Sequence, residues 1–295
     1  MLYQKNKFSN LATQLDNVRI IGIGESTHGS HEFFDNKSSI FKELVISHKY
    51  NMLLFEDNQE TIMPINNYIQ QNKGSLSNLM QKLYPVWQTQ EVYELIEWMR
   101  QEANNNRKIC ILGFDVDQST EDMKFREQKM ANNIINKLST NRSKALVWAH
   151  NFHISKTPIS GYKTMGFYLK DYFQNRYYAI AQLFGTGTFN ATLLRKNNQN
   201  TTDRTLSSIS INRINNYLLE YQLNTLNKTK PFIATTKHLN DYLGKGQNSM
   251  IRSIGWGVIL ENIDDYIDEF EIPKAYDSIC YFPESHCSRI ISKQQ

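Results

Sequence analysis

The sequence predicts an α/β fold, a mostly parallel sheet with helices on both faces, and three observations predict it. Short apolar runs alternate with stretches of helical periodicity along most of the 295 residues. Four successive apolar runs end in acidic or histidine side chains. The first of these runs, Val18 to Ile23, breaks at Gly22-x-Gly24 and continues as Glu25-Ser26-Thr27-His28-Gly29 before a helical pattern begins. Glycines at a strand end let the chain turn sharply, so the side chains just beyond it project from the sheet edge, where open α/β sheets hold ligands. Taken alone, the same stretch also fits a capped helix start, with Ser26 or Thr27 as cap and Glu25 complementing the dipole.

Residues 1 to 17 read as a short helix leading into the first strand. After His31, the residues Phe33, Phe34, Ile40, Phe41, Leu44 and Val45 form an apolar stripe at helical spacing, and Lys37 falls on that stripe. A lone lysine there is expected to snorkel its ammonium to water. Met52 to Phe55 is the next strand and ends in Glu56 and Asp57. A helix over Thr61 to Gln71 and an amphipathic helix from Gln90 to Arg100 lead to a strand over Lys108 to Phe114, ending in Asp115. Residues 119 to 139 read as one polar helix. Ala145 to Ala149 is a further strand, ending in His150, Asn151 and His153, which are expected on a loop rather than a helical turn. A helix over Met165 to Phe173 precedes a strand over Tyr177 to Phe184, closed by a turn at Gly185-Thr186-Gly187. Residues 195 to 230 read as an irregular, mostly helical excursion. The runs 231 to 236 and 278 to 282 extend the sheet. No repeat or linker divides the chain, so residues 1 to 295 read as a single domain.

Composition narrows the function. Net charge is +4 with both signs interspersed, and no basic run suggests a nucleic-acid partner. No stretch approaches the ~20 apolar residues of a membrane span. The first residues lack a signal-peptide core, which predicts a cytoplasmic protein. Cys110, Cys280 and Cys287 have no metal-ligand spacing, and Cys110 reads as a core thiol.

In a parallel sheet, the strand ends carrying Glu25 with His28, Glu56, Asp115, and His150 with His153 lie along one edge and can converge. A capping carboxylate or a satisfied core histidine explains any one of them, but not all four together. Gly22-x-Gly24 lacks the third glycine of a dinucleotide fingerprint, and no P-loop lysine motif occurs. Ser26 is not in a Gly-x-Ser-x-Gly elbow. What remains is acid–base chemistry on water, or a metal held by histidine and carboxylate ligands. The ligands would serve Zn²⁺, or Fe or Mn less specifically.

The stretches GIGESTHGSHEFFDNK, LLFE, YPVWQTQEVYELIEWMR, LGFDVDQ, VWAHNFHIS and MGFYLKDYF, followed by YYAIAQLFGTGTF, run in order from about residue 20 to 190. With the ending IGWGVILENIDDYIDEF and YDSICYFPES, the chain resembles the erythromycin esterase family of macrolide-inactivating hydrolases. The resemblance implies hydrolysis of a lactone ester by an activated water, without a covalent acyl-enzyme. It makes His28 the general base, Glu25 its partner, Glu56 a second acidic site residue, and His150 and His153 the later histidine pair. Lys37 stands where drug-hydrolysing members carry a site arginine, which keeps the charge but loses the bidentate fork. His31 likewise replaces an arginine, and it joins Asp115 and Asn151 as an expected substrate-binding residue. The segment between Asp115 and His150 is shorter than that of drug-resistance members, implying a reduced helical insertion beside the cleft.

The resemblance implies a small-molecule or peptide-derived substrate, with a macrolactone or other cyclic ester first. The two departures point also to another ester or amide in natural-product tailoring. A protein that binds a metal or cofactor without turnover is the alternative from another class. A divalent metal is left open.

Overall fold

A computed structural model describes residues 3–4, 15, 17–116, 122–139, 143–196, 201–243 and 248–291. In chain order, β1 (Tyr3–Gln4) and β2 (Ile20–Ile23) precede α1 (His31–Ser47), β3 (Met52–Asn58), α2 (Gln59–Gln71) and α3 (Leu76–Met80). A tight helical turn (Pro85–Trp87) leads to α4 (Gln90–Asn104), β4 (Cys110–Asp115), α5 (Met123–Ser139) and β5 (Ala145–Trp148). One helical turn, α6 (Asn151–Ile154), is followed by α7 (Met165–Phe173), β6 (Tyr177–Lys196) and β7 (Thr201–Ile211). The rest comprises α8 (Leu219–Leu226), β8 (Phe232–Thr235), α9 (Thr236–Leu243), β9 (Ser249–Arg252), β10 (Gly257–Val258), β11 (Ile267–Phe270), α10 (Ile272–Ala275) and β12 (Ser278–Ser285).

Ten strands form one sheet along the path β1-β8-β12-β6-β2-β5-β3-β4, with β7 and β10 also pairing β6. The run from β12 to β4 is parallel throughout, as the alternation of strands and helices predicts. The pairs β8–β12 and β1–β8 are antiparallel, so the sheet is mixed at one side. Successive side chains on a strand point to opposite faces. Ile21, Ile23, Leu53, Phe55, Leu146 and Trp148 therefore pack on one face with Phe33, Phe34, Phe41 and Leu44 of α1. Ile20, Met52, Leu54, Ala145 and Val147 pack on the other with Met130 and Ile134 of α5 and Leu169 of α7. Burial of each large apolar side chain contributes ~1.5–3 kcal/mol. Helix starts follow the sequence: Asn58 accepts the Thr61 N–H, and Thr89 the Val92 N–H.

Three expectations are corrected here. Gly185-Thr186-Gly187 does not end the strand, because β6 runs on for 20 residues. At Gly187, φ is 116° and a Cβ would stand 2.1 Å from the Ser285 carbonyl oxygen, so the glycine lets β6 pass close to β12. The segment after it is no helical excursion. Gly187 to Lys196 forms an antiparallel hairpin with β7, in which Phe189, Ala191 and Ile209 are buried and the alternate residues include Thr188, Asn190, Thr192, Ser208 and Ser210. Residues 197–200 lie outside the described set, and α8 is the helical part of the excursion. Tyr3–Gln4 is a strand pairing β8 rather than part of a helix; residues 5–14 and 16 of that expected helix, like residues 119–121 before α5, lie outside the described set.

Among the described residues no helix is long and apolar enough to cross a membrane. The hairpin docks on the first motif: the Asn190 N–H donates to the Gly29 carbonyl, and a Cβ at Gly29 would lie 1.8 Å from the Asn190 carbonyl oxygen. Gly29→Ala is therefore expected to destabilise the fold by about 1–3 kcal/mol or more, read as a lower thermal midpoint. An unchanged midpoint would mean that this contact does not constrain the hairpin.

Candidate active site

The C-terminal ends of β2, β3, β4 and β5 open into a cleft of about 680 Å³, within the usual range for small-molecule sites. His28, Glu56, Asp115, His150 and His153 all line it, together with Arg126 of α5. Trp87, Tyr84, Phe152 and Trp256 supply an aromatic surround, and Thr192 and Leu206 bring the β6–β7 hairpin into the wall.

Glu25 is wholly buried and faces an imidazole and an ammonium. Its Oε1 lies 2.7 Å from His28 Nδ1, and its Oε2 2.8 Å from the Lys37 ammonium. The lysine does not snorkel. It is 0% exposed, donates to the Ala149 carbonyl at 3.1 Å and sits over the Trp148 ring. Burial lowers its pKa to about 8, against the attraction of Glu25 and Glu56. The His28 ring stands edge-on to Trp87, with centroids 4.7 Å apart, and 5.3 Å from His150.

His150 and His153 are on a helical turn, correcting the expected loop. His150 is the cap of α6: its Nδ1 accepts the Phe152 N–H at 3.2 Å. The ring proton therefore resides on the buried Nε2, near the Ser26 backbone. Burial, with repulsion from His28 and His153, pushes its pKa well below the ordinary value, and the Ser26 backbone opposes this only in part. His150 is thus a neutral imidazole presenting an N–H.

His153 is the opposite case. Its Nδ1 lies 2.6 Å from Glu127 Oε1 and its Nε2 3.2 Å from Glu56 Oε1. Burial works against the charge, but the two carboxylates outweigh it and raise the pKa to about 10. In return Glu56, which burial alone would raise, is held well below the usual carboxylate range by His153, His28 and Arg126. The second oxygen of Glu56 accepts the His150 backbone N–H at 2.8 Å. Asp115 grips Arg126 with both oxygens, at 3.0 and 2.8 Å.

Two expected substrate-binding residues stand away from the cleft. His31 bonds Glu91 at 2.7 Å, where Arg289 also binds. Asn151 is fully buried and clamps the backbone of Gln182 in β6 through both ends of its amide. Arg126, Glu127, Trp87 and Trp256 are site residues that the sequence reading missed. Glu127 carried a usable signal, since it is in register with Met130, Ile134 and Leu138 on the buried stripe of α5.

Among the described residues no group of three or more His, Cys, Asp or Glu side chains is arranged to hold a metal. Glu56 and Glu127 take both nitrogens of His153, whereas Glu25 takes only Nδ1 of His28.

Comparison with known proteins follows the same lines. YbfO of Bacillus subtilis, which carries a provisional hydrolase name, is 30% identical over 105 residues, or 35% of this chain. The matched stretch spans 23% of that relative's length. Three solved structures share the fold. A succinoglycan biosynthesis protein superposes with a TM-score of 0.82 at 20% identity, covering 96% of this chain and 92% of its own. A Bacillus cereus protein gives 0.77 at 19% identity, covering 98% and 94%. A mutant of the erythromycin esterase EreC, in its open conformation, gives 0.72 at 14% identity, covering 97% and 96%. The family model described as erythromycin esterase matches residues 45–125 and 117–285. With most of its length matched, the chain belongs to the erythromycin esterase family.

Proposed function

We propose that the protein is a hydrolase that opens a macrolactone or another bulky, largely apolar cyclic ester with a water activated by His28. Family membership supports hydrolysis in general, and one observation carries the finer reading. His28 is tied through Nδ1 to a buried carboxylate, while its ring borders a large aromatic-walled cleft.

Glu25 accepts the Nδ1 proton and so leaves Nε2 as the basic atom, the tautomer needed to take a proton from water. The imidazolium formed is stabilised by the same carboxylate, whose charge Lys37 balances. As water attacks the ester carbonyl, negative charge grows on its oxygen. His150, a neutral imidazole beside His28 in the cleft, is the nearest neutral donor for that charge. His153, charged and held between two carboxylates, adds a fixed positive field nearby. The alkoxide leaving group then takes the proton from His28, which returns the base to its starting state.

The test is mass spectrometry of erythromycin and a panel of other lactones incubated with purified protein, with His28→Asn alongside. The expected result is a gain of one water by at least one lactone with the wild-type protein only. No gain on any lactone, from protein shown to be folded, would overturn the reading.

A further inference from the structure

Glu127 touches no part of the cleft, yet it is 0% exposed and spends both oxygens on site architecture. Oε1 meets His153 Nδ1 at 2.6 Å, and Oε2 accepts the Met165 N–H at 2.7 Å. A buried carboxylate is costly unless each oxygen is matched, and here each has a short partner. On the far side of the ring, Glu56 takes Nε2 with one oxygen and the His150 backbone N–H with the other. An imidazole flanked by acceptors at both nitrogens must carry two protons. The contacts form one chain from Glu127 through His153 and Glu56 to the backbone of His150, which lines the cleft beside His28.

We propose that Glu127 is a positioning residue. Together with Glu56 it clamps His153 as a permanent imidazolium, and through that ring it fixes the His150 donor. The inference rests on the hydrolase reading for its kinetic part and stands on the geometry for the rest. His153 on this view never acts as a base, although its neighbours His28 and His150 share the cleft with it. The titratable groups around it are Glu56 from β3, Arg126 and Glu127 from α5, His28 after β2, His150 at the head of the same turn, and Asp268 from β11. Of these, Glu127 supplies the largest attraction, so its neutral isostere should release the second proton.

The experiment follows the imidazole signals of His153 by nuclear magnetic resonance across pH in wild type, Glu127→Gln and Glu127→Asp, with kcat/KM measured in parallel. Glutamine can still accept from Nδ1 through its one amide oxygen, while its NH2 replaces the acceptor of the Met165 N–H, which Glu127→Asp keeps as a carboxylate control. The expected result is titration near pH 10 in wild type, falling in Glu127→Gln toward the ordinary ~6.5. Glu127→Asp, which keeps the charge, should restore most of the elevation. The ratio of Glu127→Gln to wild-type kcat/KM should fall as the pH rises from about 6 to about 8, as the imidazolium is lost. A purely structural role would leave that ratio flat. The proposal is overturned by wild-type His153 titrating near 6.5, by an unmoved titration in Glu127→Gln, or by a flat ratio. Failure of the hydrolase reading looks different: the wild-type protein turns over no ester, and the titrations alone then decide the clamp. If Glu127→Gln does not fold, the wild-type and Glu127→Asp titrations still decide it.

Discussion

His28→Asn is expected to lower kcat/KM for ester hydrolysis by about 10²–10⁴-fold while leaving the thermal midpoint close to that of wild type. The asparagine amide can donate to Glu25 as the imidazole did, so the buried carboxylate stays partnered. What disappears is the basic nitrogen facing the cleft. Neither neighbouring histidine can substitute. His150 has its one acceptor nitrogen committed to the Phe152 N–H, and His153 is already charged. Steady-state kinetics on whichever lactone reacts, with a melt of the same preparation, makes the comparison. Activity within threefold of wild type would remove His28 from the mechanism.

Lys37→Met should be the most damaging single change to the fold. It strands Glu25 as an uncompensated charge in a site with no access to water, a loss of about 3–5 kcal/mol for breaking a buried pair. The contacts to the Ala149 carbonyl and the Trp148 ring go with it. Urea unfolding would show this as a lower midpoint with an unchanged slope. A midpoint equal to wild type would mean the pair contributes nothing net. Glu25 can escape its isolation by taking a proton, and it then ceases to hold His28 in the active tautomer, so activity should fall with stability.

The same pair imposes a pH signature. Burial holds folded Lys37 at about 8, below its ordinary 10.5. Between those values the unfolded chain binds the extra proton, so this group alone makes unfolding less favourable as the pH rises through that window. Below about 8 the cost of the buried ammonium is fully present. Activity moves the other way, because a neutral lysine no longer balances Glu25. An alkaline decline in kcat/KM centred near 8 is the expected trace.

The edge of the sheet that carries the chemistry was readable from the strands. Parallel strands deliver their ends to one side, so Glu25, His28, Glu56, Asp115, His150 and His153 could be grouped without knowing the strand order. The contacts among them were not readable, because they depend on side chains from α5 that lie in a stretch dominated by polar residues. Glu127 and Lys37 pose the same anomaly, a charge in register with an apolar stripe. In both cases the charge is wholly buried and paired with a site residue rather than reaching for water. The hairpin was hidden by its chemistry. Thr188, Asn190, Thr192, Ser208 and Ser210 resemble loop composition, while the other half of the alternation is as small as Ala191.

The 20-residue strand β6 begins between β2 and β12 in the centre of the sheet and ends as a wall of the cleft beside β7 and β10. The wall is a continuation of a central strand, bent at Gly187 and tied to the turn after His28 by the Asn190 N–H on the Gly29 carbonyl. Under the proposed reading, the side chains this strand presents to the cleft, Thr192 and Leu194 with Leu206 of β7, would set substrate preference, and exchanging them between relatives should change it.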